Sequence, residues 1–589
     1  MEELTHTLLE NGSIQRKGDQ YVLSKRLTDI QVPDTIQGII AARIDRLDES
    51  LKRIMHVASV IGREFAFRIL QSIMEMKEEL KSHLANLQGL EFIYEKRLFP
   101  ELEYIFKHAL TQEVAYNSLL LKRRKEIHGK IGGAIEEIYS DKREEFYEML
   151  AYHYTNSDNL GKAVQYLKLS GNKAMRTYSP IEAFHFYRDA IGILKQMGKT
   201  DQNKKEQIEV ILSMAHSMRL LAYPEDSFKL LQEAETLCKD VKDKKSSAIL
   251  YSHLGSFYSA KGDAALGMKY QQDAFEEAER LQDSQITARI GAMLTFSMDV
   301  AGEYRKVVHI TPRILASLER TQGQGELFGM PVDLRSYLYA NYGHGLGYVG
   351  EFAEGEQSCE KALSLAQEAD NVYSIAIAEF LYGCLFSPKG DGENSAKHME
   401  TSIGYLEKLK AVFFLPLAWC LIGEGYRLMG DPGKALGFAE KGLNMKMHIG
   451  APGWLSLHLW ALSLVHFDLG NLNEARVHAE QALNLAQRNH EKYFEGESWL
   501  QLGRTVGKME ESQIDKAEEY LLQGMKMLDD LETKPAYAVG CLNLGELYMD
   551  AGRKEKALEN LRRSEEMFSR MGMDYHLART KKLLEMIQI

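Results

Sequence analysis

The chain has 589 residues, 45% of them hydrophobic and 26% charged, with a formal net charge of −12. One hydrophobic core does not keep growing to that length, which argues against a single globule, and the acidic balance argues against broad electrostatic binding of nucleic acid by the whole chain. No apolar run approaches the roughly 20 residues that cross a bilayer, and the opening MEELTHTLLENG carries early acids and no apolar core, unlike a signal peptide. Cys238, Cys359, Cys384, Cys420 and Cys541 stand singly with no CxxC pair, which reads as small packing residues in a reducing cytoplasm.

In chain order, Glu2 to Glu10 reads as a helix and Gly12 to Leu27 as a short polar hairpin around Gly18-Asp19. Val32-Pro33-Asp34 punctuates the chain. Ile36, Ile39, Ile40, Ile44 and Leu47 then share one helical face, and Asp34 stands where an N-cap belongs. A second helix from about Ser50 to Ile61 ends at Gly62. A short helix over Phe65 to Met74 and another over Glu78 to Leu90 follow. Phe92-Ile93-Tyr94 and Tyr104-Ile105-Phe106 flank a turn with Pro100 and predict a hairpin. Helices followed by a two-stranded wing predict a winged-helix-like α+β module.

From about 144 the pattern changes to a repeat, clearest at 415–445 in LPLAWCLIGEGYRLMGDPGKALGFAEKGLNM. Gly423 is followed by Tyr426 at +3, Gly430 at +7, Ala435 at +12, Ala439 at +16 and Gly442 at +19. Gly430-Asp431-Pro432 ends one helix and starts the next, so the unit is helix, tight turn, helix. The same offsets recur from Gly255, Gly343 and Gly545, and from Ser463. They return with insertions from Gly383 and Gly503, and more weakly from Thr295, Ala215 and Ala151. Ala183, Tyr187 and Ala190 look like the second helix of a further unit. That makes about eleven units from about 144 to 570.

The small and aromatic residues Gly423, Tyr426, Gly430, Ala435, Ala439 and Gly442 resemble those of the tetratricopeptide repeat, and the resemblance covers roughly three quarters of the chain. It implies an all-α, right-handed superhelix whose first helices line a concave face. By register, His344, Tyr348, Glu424, Arg427, Arg504, Lys508, Glu546 and Asp550 follow the first-helix small residues and are the candidates for holding a peptide there, against the plainer reading that such side chains are solvated. Trp419, Trp454, Trp460 and Trp499 cluster in the later repeats, where packing is the default.

VPDTIQGIIAARIDRL at 32–47, VASVIGREF at 57–65 and FKHALTQEVAYNSLL at 106–120 resemble the segment that joins the ATPase core to the tetratricopeptide array in bacterial STAND-type predicted ATPases, which often accompany class III adenylate or guanylate cyclase domains. That resemblance implies four divisions: 1–34 as the end of an ATPase core, 35–135 as the winged-helix-like module, 136–572 as the array and 573–589 as a capping helix. It also makes Arg63, Glu64 and His108 candidates for a relay between domains, with anchoring of the turn or hairpin as the plainer role.

No GxxxxGK[ST] occurs; the glycines of 129–133 and 323–329 lack the Lys-Ser/Thr that cradles phosphate, and no HExxH, GxSxG or clustered Cys/His set is present. The expectation is therefore a non-catalytic, cytoplasmic scaffold with no cofactor or metal and no membrane partner, binding a protein or peptide and regulating a signalling ATPase or cyclase. The alternatives are the regulatory half of an ATP-binding cyclase-type enzyme and a winged-helix transcriptional regulator. Lys122-Arg123-Arg124-Lys125 is the basic run that the last reading needs, and a solvated helix is its plainer explanation. If the register is right, Ala435→Leu or Ala557→Leu overpacks a helix crossing and destabilises the array by about 1–3 kcal/mol. Unchanged urea midpoints in both variants would show that these positions lie elsewhere.

Overall fold

The computed structural model describes residues 13–17, 20–24, 35–74, 79–98, 101–319, 326–327, 330–509 and 511–588. The expected helix at Glu2–Glu10, the Val32–Asp34 punctuation, the Pro100 turn and Gly323 lie outside them. The chain divides into two compact units, Met1–Ser170 with Asp189–Met197, and Gly171–Arg188 with Gly198–Ile589.

In the first unit, Ile14–Lys17 pairs antiparallel with Gln20–Leu23 as the expected hairpin. Helices Ile36–Asp45 and Glu49–Ile61 follow, capped by Thr35, whose hydroxyl accepts from Gly38 N at 3.1 Å, and by Asp48, whose carboxylate accepts from Ser50 N and Leu51 N at 2.9 Å. The first cap is thus Thr35 rather than Asp34. Glu64–Ala66 is a strand, and the next helix, Phe67–Met74, starts two residues later than the apolar pattern implied. The reason is tertiary: Phe65 packs on Tyr104 and Phe106, with ring centres 5.8 and 5.6 Å apart. Glu79–Gly89 then leads to strands Ile93–Arg97 and Glu103–Phe106, and the sheet order places Glu103–Phe106 between the other two.

Helices Ala109–Asn117 and Leu121–Ile138 lead on to Tyr147–Thr155. The Glu136 carboxylate gathers this region: it accepts from Tyr154 OH at 2.8 Å and Tyr166 OH at 2.6 Å and pairs with Lys162. Burial opposes its charge, but these three donors outweigh burial and hold Glu136 below the usual carboxylate range.

The second unit is a run of antiparallel helix pairs. They are Asp201–Leu220 with Ser227–Val241, Lys244–Ala260 with Ala264–Arg280, Ser284–Ala301 with Tyr304–Glu319, and Leu334–Val349 with Phe352–Glu368. Val372–Lys389 with Gly392–Lys408, Leu415–Leu428 with Pro432–Ile449, and Leu455–Asp468 with Leu472–Asn489 continue it. Lys492–Met509 with Ile514–Asp530 and Lys534–Asp550 with Lys554–Met571 complete the pairs, and Asp574–Gln588 closes the run. The helices Leu160–Arg176 and Pro180–Gln196 contribute residues to both units, and Tyr187 of the latter fills the space beside Gly171. Two short strands, Glu326–Leu327 and Met330–Asp333, interrupt the array without a sequence signal.

Small residues mark the crossings. A Cβ on Gly423 would lie 2.9 Å from Ala435 O, and one on Gly442 would lie 2.7 Å from Pro416 O; Ala435 and Ala557 are wholly buried. Backbones approach too closely there for larger side chains. At the turn, Gly430 adopts φ +84° and Asp431 caps the next helix, accepting from Lys434 N at 3.0 Å.

The array also closes on itself. Gly453 N donates to Ala260 O at 3.0 Å, and Lys492 Nζ donates to Glu303 Oε1 at 2.7 Å across 189 residues of sequence. Burial opposes the Glu303 charge, but the hydrogen bonds from Lys492 and Lys306 outweigh it and hold the carboxyl below its ordinary range. Gly302, at φ +77°, is pressed against Tyr493, so that an added Cβ would lie 2.4 Å from the Tyr493 Cβ. Gly350 meets Met571 and Gly390 meets His576 in the same way. These turn glycines therefore do two jobs, reversing the chain and admitting a side chain from the end of a later helix.

Gly430 has the same backbone conformation with no atom within 4 Å of a Cβ. Both Gly302→Ala and Gly430→Ala carry the left-handed penalty of about 1 kcal/mol, and Gly302→Ala is expected to lose a further 1–3 kcal/mol, roughly, through the seam. Equal shifts in urea midpoint for the two variants would count against the seam.

The interior of the helical array

Extending a helical stripe from the repeat register explains which side chains meet inside the second unit. Residues one after the first-helix small residue, and those two to three and six before it, lie on one face. In Lys492–Met509 they are Arg504, Leu500 with Gln501, and Glu497; in Leu455–Asp468 they are Leu464, Trp460 and Leu457. Two chambers result. One, of about 50 Å³, is walled by aromatic residues including Phe296, Tyr304, Tyr337, Tyr348, Phe380 and Trp454, with Asp299, Asn341 and His344 among its lining residues. The other, of about 90 Å³, is lined by Glu424, Arg427, Glu497, Arg504, His576 and Arg579. They share Tyr348, Leu421, Leu457 and Phe494. A wider space of about 270 Å³ shares Arg504 and Arg579 with the second chamber and adds Lys508, Glu546 and Asp550.

Most charges here are paired. Arg427 forks onto Glu424, with both N···O distances 2.7 Å, and reaches Asp468 at 2.7 Å. Arg579 donates to Glu546 at 2.7 Å, and Lys508 pairs with Asp550 at 2.8 Å. Arg504 differs: its guanidinium lies over the Phe467 ring at 3.9 Å, and its Nε has no hydrogen-bond partner among the described residues. Burial, with the charge of Arg579 beside it, lowers its pKa to about 10. Burial and the charges of Arg579, Arg427 and Arg504 lower His576 to about 3, so it is neutral at physiological pH. Burial pushes the Glu497 carboxyl up to about 7; the Tyr493 hydroxyl, donating at 3.1 Å, opposes this, and the charge of Glu424 adds to it.

All eight residues singled out by register line these spaces. His344 and Tyr348 border the aromatic chamber, Glu424 and Arg427 the charged one, Lys508, Glu546 and Asp550 the wider space, and Arg504 both of the last two. Arg63, Glu64 and His108 belong to the first unit. Arg63 and Glu64 are exposed, Glu64 pairs with Lys96, the Arg63 carbonyl accepts from Phe106 N at 3.0 Å, and His108 immediately precedes helix Ala109–Asn117.

Asp299, Asn341, Glu497, Asn543, His576 and Arg579 also line these spaces, away from the positions just after each small residue. Asn341, Glu497 and Asn543 were recoverable by stepping back one or two helical turns. His576 and Arg579 were not, because Asp574–Gln588 follows the last copy of the register. Of the tryptophans, Trp419 and Trp499 pack on Phe438 and Tyr520 within their own helix pairs, whereas Trp454 and Trp460 border the chambers. The five cysteines are free and buried. Among the described residues no cluster of His, Cys, Asp or Glu is arranged to hold a metal ion, and no helix is long and apolar enough to cross a membrane.

Residues 538–569 match the Tetratricopeptide repeat family. An uncharacterized protein of Rhizobium meliloti (strain 1021) is 25% identical over 169 residues, 28% of this chain; the match spans only 16% of that relative's own length. Among solved structures, a Rap protein complexed with Competence and Sporulation Factor aligns over 71% of this chain and 99% of its own, with 12% identity and a TM-score of 0.41. A signal transduction ATPase with numerous domains and a tetratricopeptide repeat sensor, from Pyrococcus horikoshii, aligns over 95% of this chain and 68% of its own, with 12% identity and a TM-score of 0.29. The recurring helix pairs and the matched repeat make the second unit an all-α superhelix of tetratricopeptide type.

The raised Glu497 carboxyl carries a pH signature. Folded, it keeps its proton to about pH 7; unfolded, it loses it near 4.5, so the fold binds more protons in between and stability falls as pH rises through that window. Glu497→Gln escapes this fall. We expect the variant to match the parent near pH 4.5 and to exceed it by about 1–3 kcal/mol at pH 8. Equal urea midpoints at pH 8 would contradict this.

Proposed function

We propose that this chain is a non-catalytic regulatory scaffold whose superhelical interior binds a peptide or an extended protein segment. One observation carries the reading: aromatic walls and charged groups from successive first helices converge on chambers that share lining residues, where several polar atoms lack internal partners. A core built for stability alone is apolar and satisfied. The chambers hold side chains and chain ends rather than a folded domain. We place the protein in the cytoplasm, a reading supported by its free, buried thiols.

The relay to a signalling ATPase or nucleotide cyclase through residues 35–135 is part of the proposal and is supported by the three ordered motifs there. In it, Arg63 and Glu64 are exposed for contact with the catalytic partner. We read this module as a winged helix on its strand order, Glu64–Ala66, Glu103–Phe106, Ile93–Arg97. The transcriptional alternative is weaker. Helix Glu79–Gly89 exposes Glu79 with Lys81, and the basic run is engaged: Arg123 bonds Glu126 at 2.9 Å, Lys125 bonds Asp158 at 2.9 Å, and Arg124 lies over Tyr116 at 4.8 Å.

The test is calorimetric titration of the full chain with peptides selected from a random library. Micromolar binding is expected, and it should be lost in Leu464→Trp, which fills the charged chamber, with the unfolding temperature preserved. Peptides that bind Leu464→Trp equally well would move the site elsewhere. ATP binding below millimolar concentration would favour the enzyme-half alternative instead.

A further inference from the structure

The interior holds two groups of opposite charge that have no counter-charge within hydrogen-bond distance, in chambers that share four lining residues. Asp299 is 6% exposed and its Oδ2 accepts from Asn341 Nδ2. Asp299 Oδ1, Asn341 Oδ1 and His344 Nδ1 are all buried with no hydrogen-bond partner among the described residues. His344 Nδ1 stands 3.7 Å from Asp299 Oδ1, beyond hydrogen-bond reach. What this wall lacks is a donor with several hydrogens. A primary ammonium supplies three and accepts none, and the aromatic rings of Tyr304, Tyr337, Tyr348 and Trp454 in the lining suit a cation.

Arg504 is the mirror case. Arg427, Arg579 and Lys508 are each paired with carboxylates, while Arg504 only lies against Phe467. An open guanidinium fork matches a carboxylate. A phosphate dianion suits it less, because Glu424, Glu497 and Glu546 line the same spaces and repel a second charge.

We infer that the ligand of the interior is a short peptide bearing both an ammonium and a carboxylate, the first received by Asp299, Asn341 and His344 in the aromatic chamber and the second by Arg504. This rests on the reading of the interior as a peptide receptor. The ammonium is the chain's N-terminus or a lysine, and the carboxylate its C-terminus or an acidic side chain.

A random hexapeptide library is passed over the immobilised full chain, and retained peptides are remade with free, N-acetylated, C-amidated or doubly capped ends. Each cap is expected to weaken Kd by ~10-fold or more. Asp299→Asn should make the chain indifferent to acetylation, and Arg504→Met indifferent to amidation. If the caps are silent but lysine→norleucine or glutamate→glutamine in the peptide produces the loss, the same chemistry holds with side chains as its source. If neither capping nor side-chain neutralisation changes Kd on the parent chain, the charge assignment fails while peptide binding stands; if no peptide is retained, the receptor reading fails with it. Both variants remove an uncompensated charge and should keep or raise the unfolding temperature. A fall of many degrees would mark that residue as structural and overturn its role.

Discussion

Everything in the second unit depends on how closely two helix backbones approach. Where Gly423 faces Ala435 O and Gly442 faces Pro416 O, there is no room for a β-carbon. That contact sets the tilt of each pair, and repetition of one tilt turns a chain of local contacts into a superhelix. A solenoid needs no long-range core, which is how 589 residues fold without one oversized globule.

Repetition alone leaves an open spiral. Here the turn glycines at 262, 302, 350 and 390 receive residues from a later part of the array, Asn489, Tyr493, Met571 and His576 respectively. The seam joins what the repeat separates, and the first-helix faces then look into a confined interior. Confinement changes the energetics of every charge inside. An arginine at an exposed groove is solvated; Arg504, against Phe467 with its Nε shut away, keeps its charge with a pKa lowered to about 10, and Glu497 is raised. Perturbed groups of this kind cluster at functional sites, and they are what the proposed receptor reading draws on.

The first unit is organised differently. Its sheet and its Glu136 cluster tie segments through specific polar and aromatic contacts, and two of the four side chains in its basic run, Arg123 and Lys125, pair with neighbouring acids. Charge counted along the chain overstates what is free to meet a polyanion.

Much of this was legible in the residues themselves, because it is local. Gly430-Asp431-Pro432 specifies a helix end, a cap and a helix start within a few residues, and the small residues at fixed offsets specify which faces meet. That was enough to define helix pairs, their order and eight of the side chains lining the interior. What tertiary structure alone decided involves partners far apart in sequence. Phe65 is in a strand because Tyr104 and Phe106 lie beside it; Gly302 is a seam residue because Tyr493 arrives there; and Asp299 Oδ1 and Arg504 Nε lack partners because no complementary group was brought within hydrogen-bond distance of them. Helical periodicity reports the face a residue occupies, whereas the presence of a counter-charge depends on which distant helix the superhelix folds against that face.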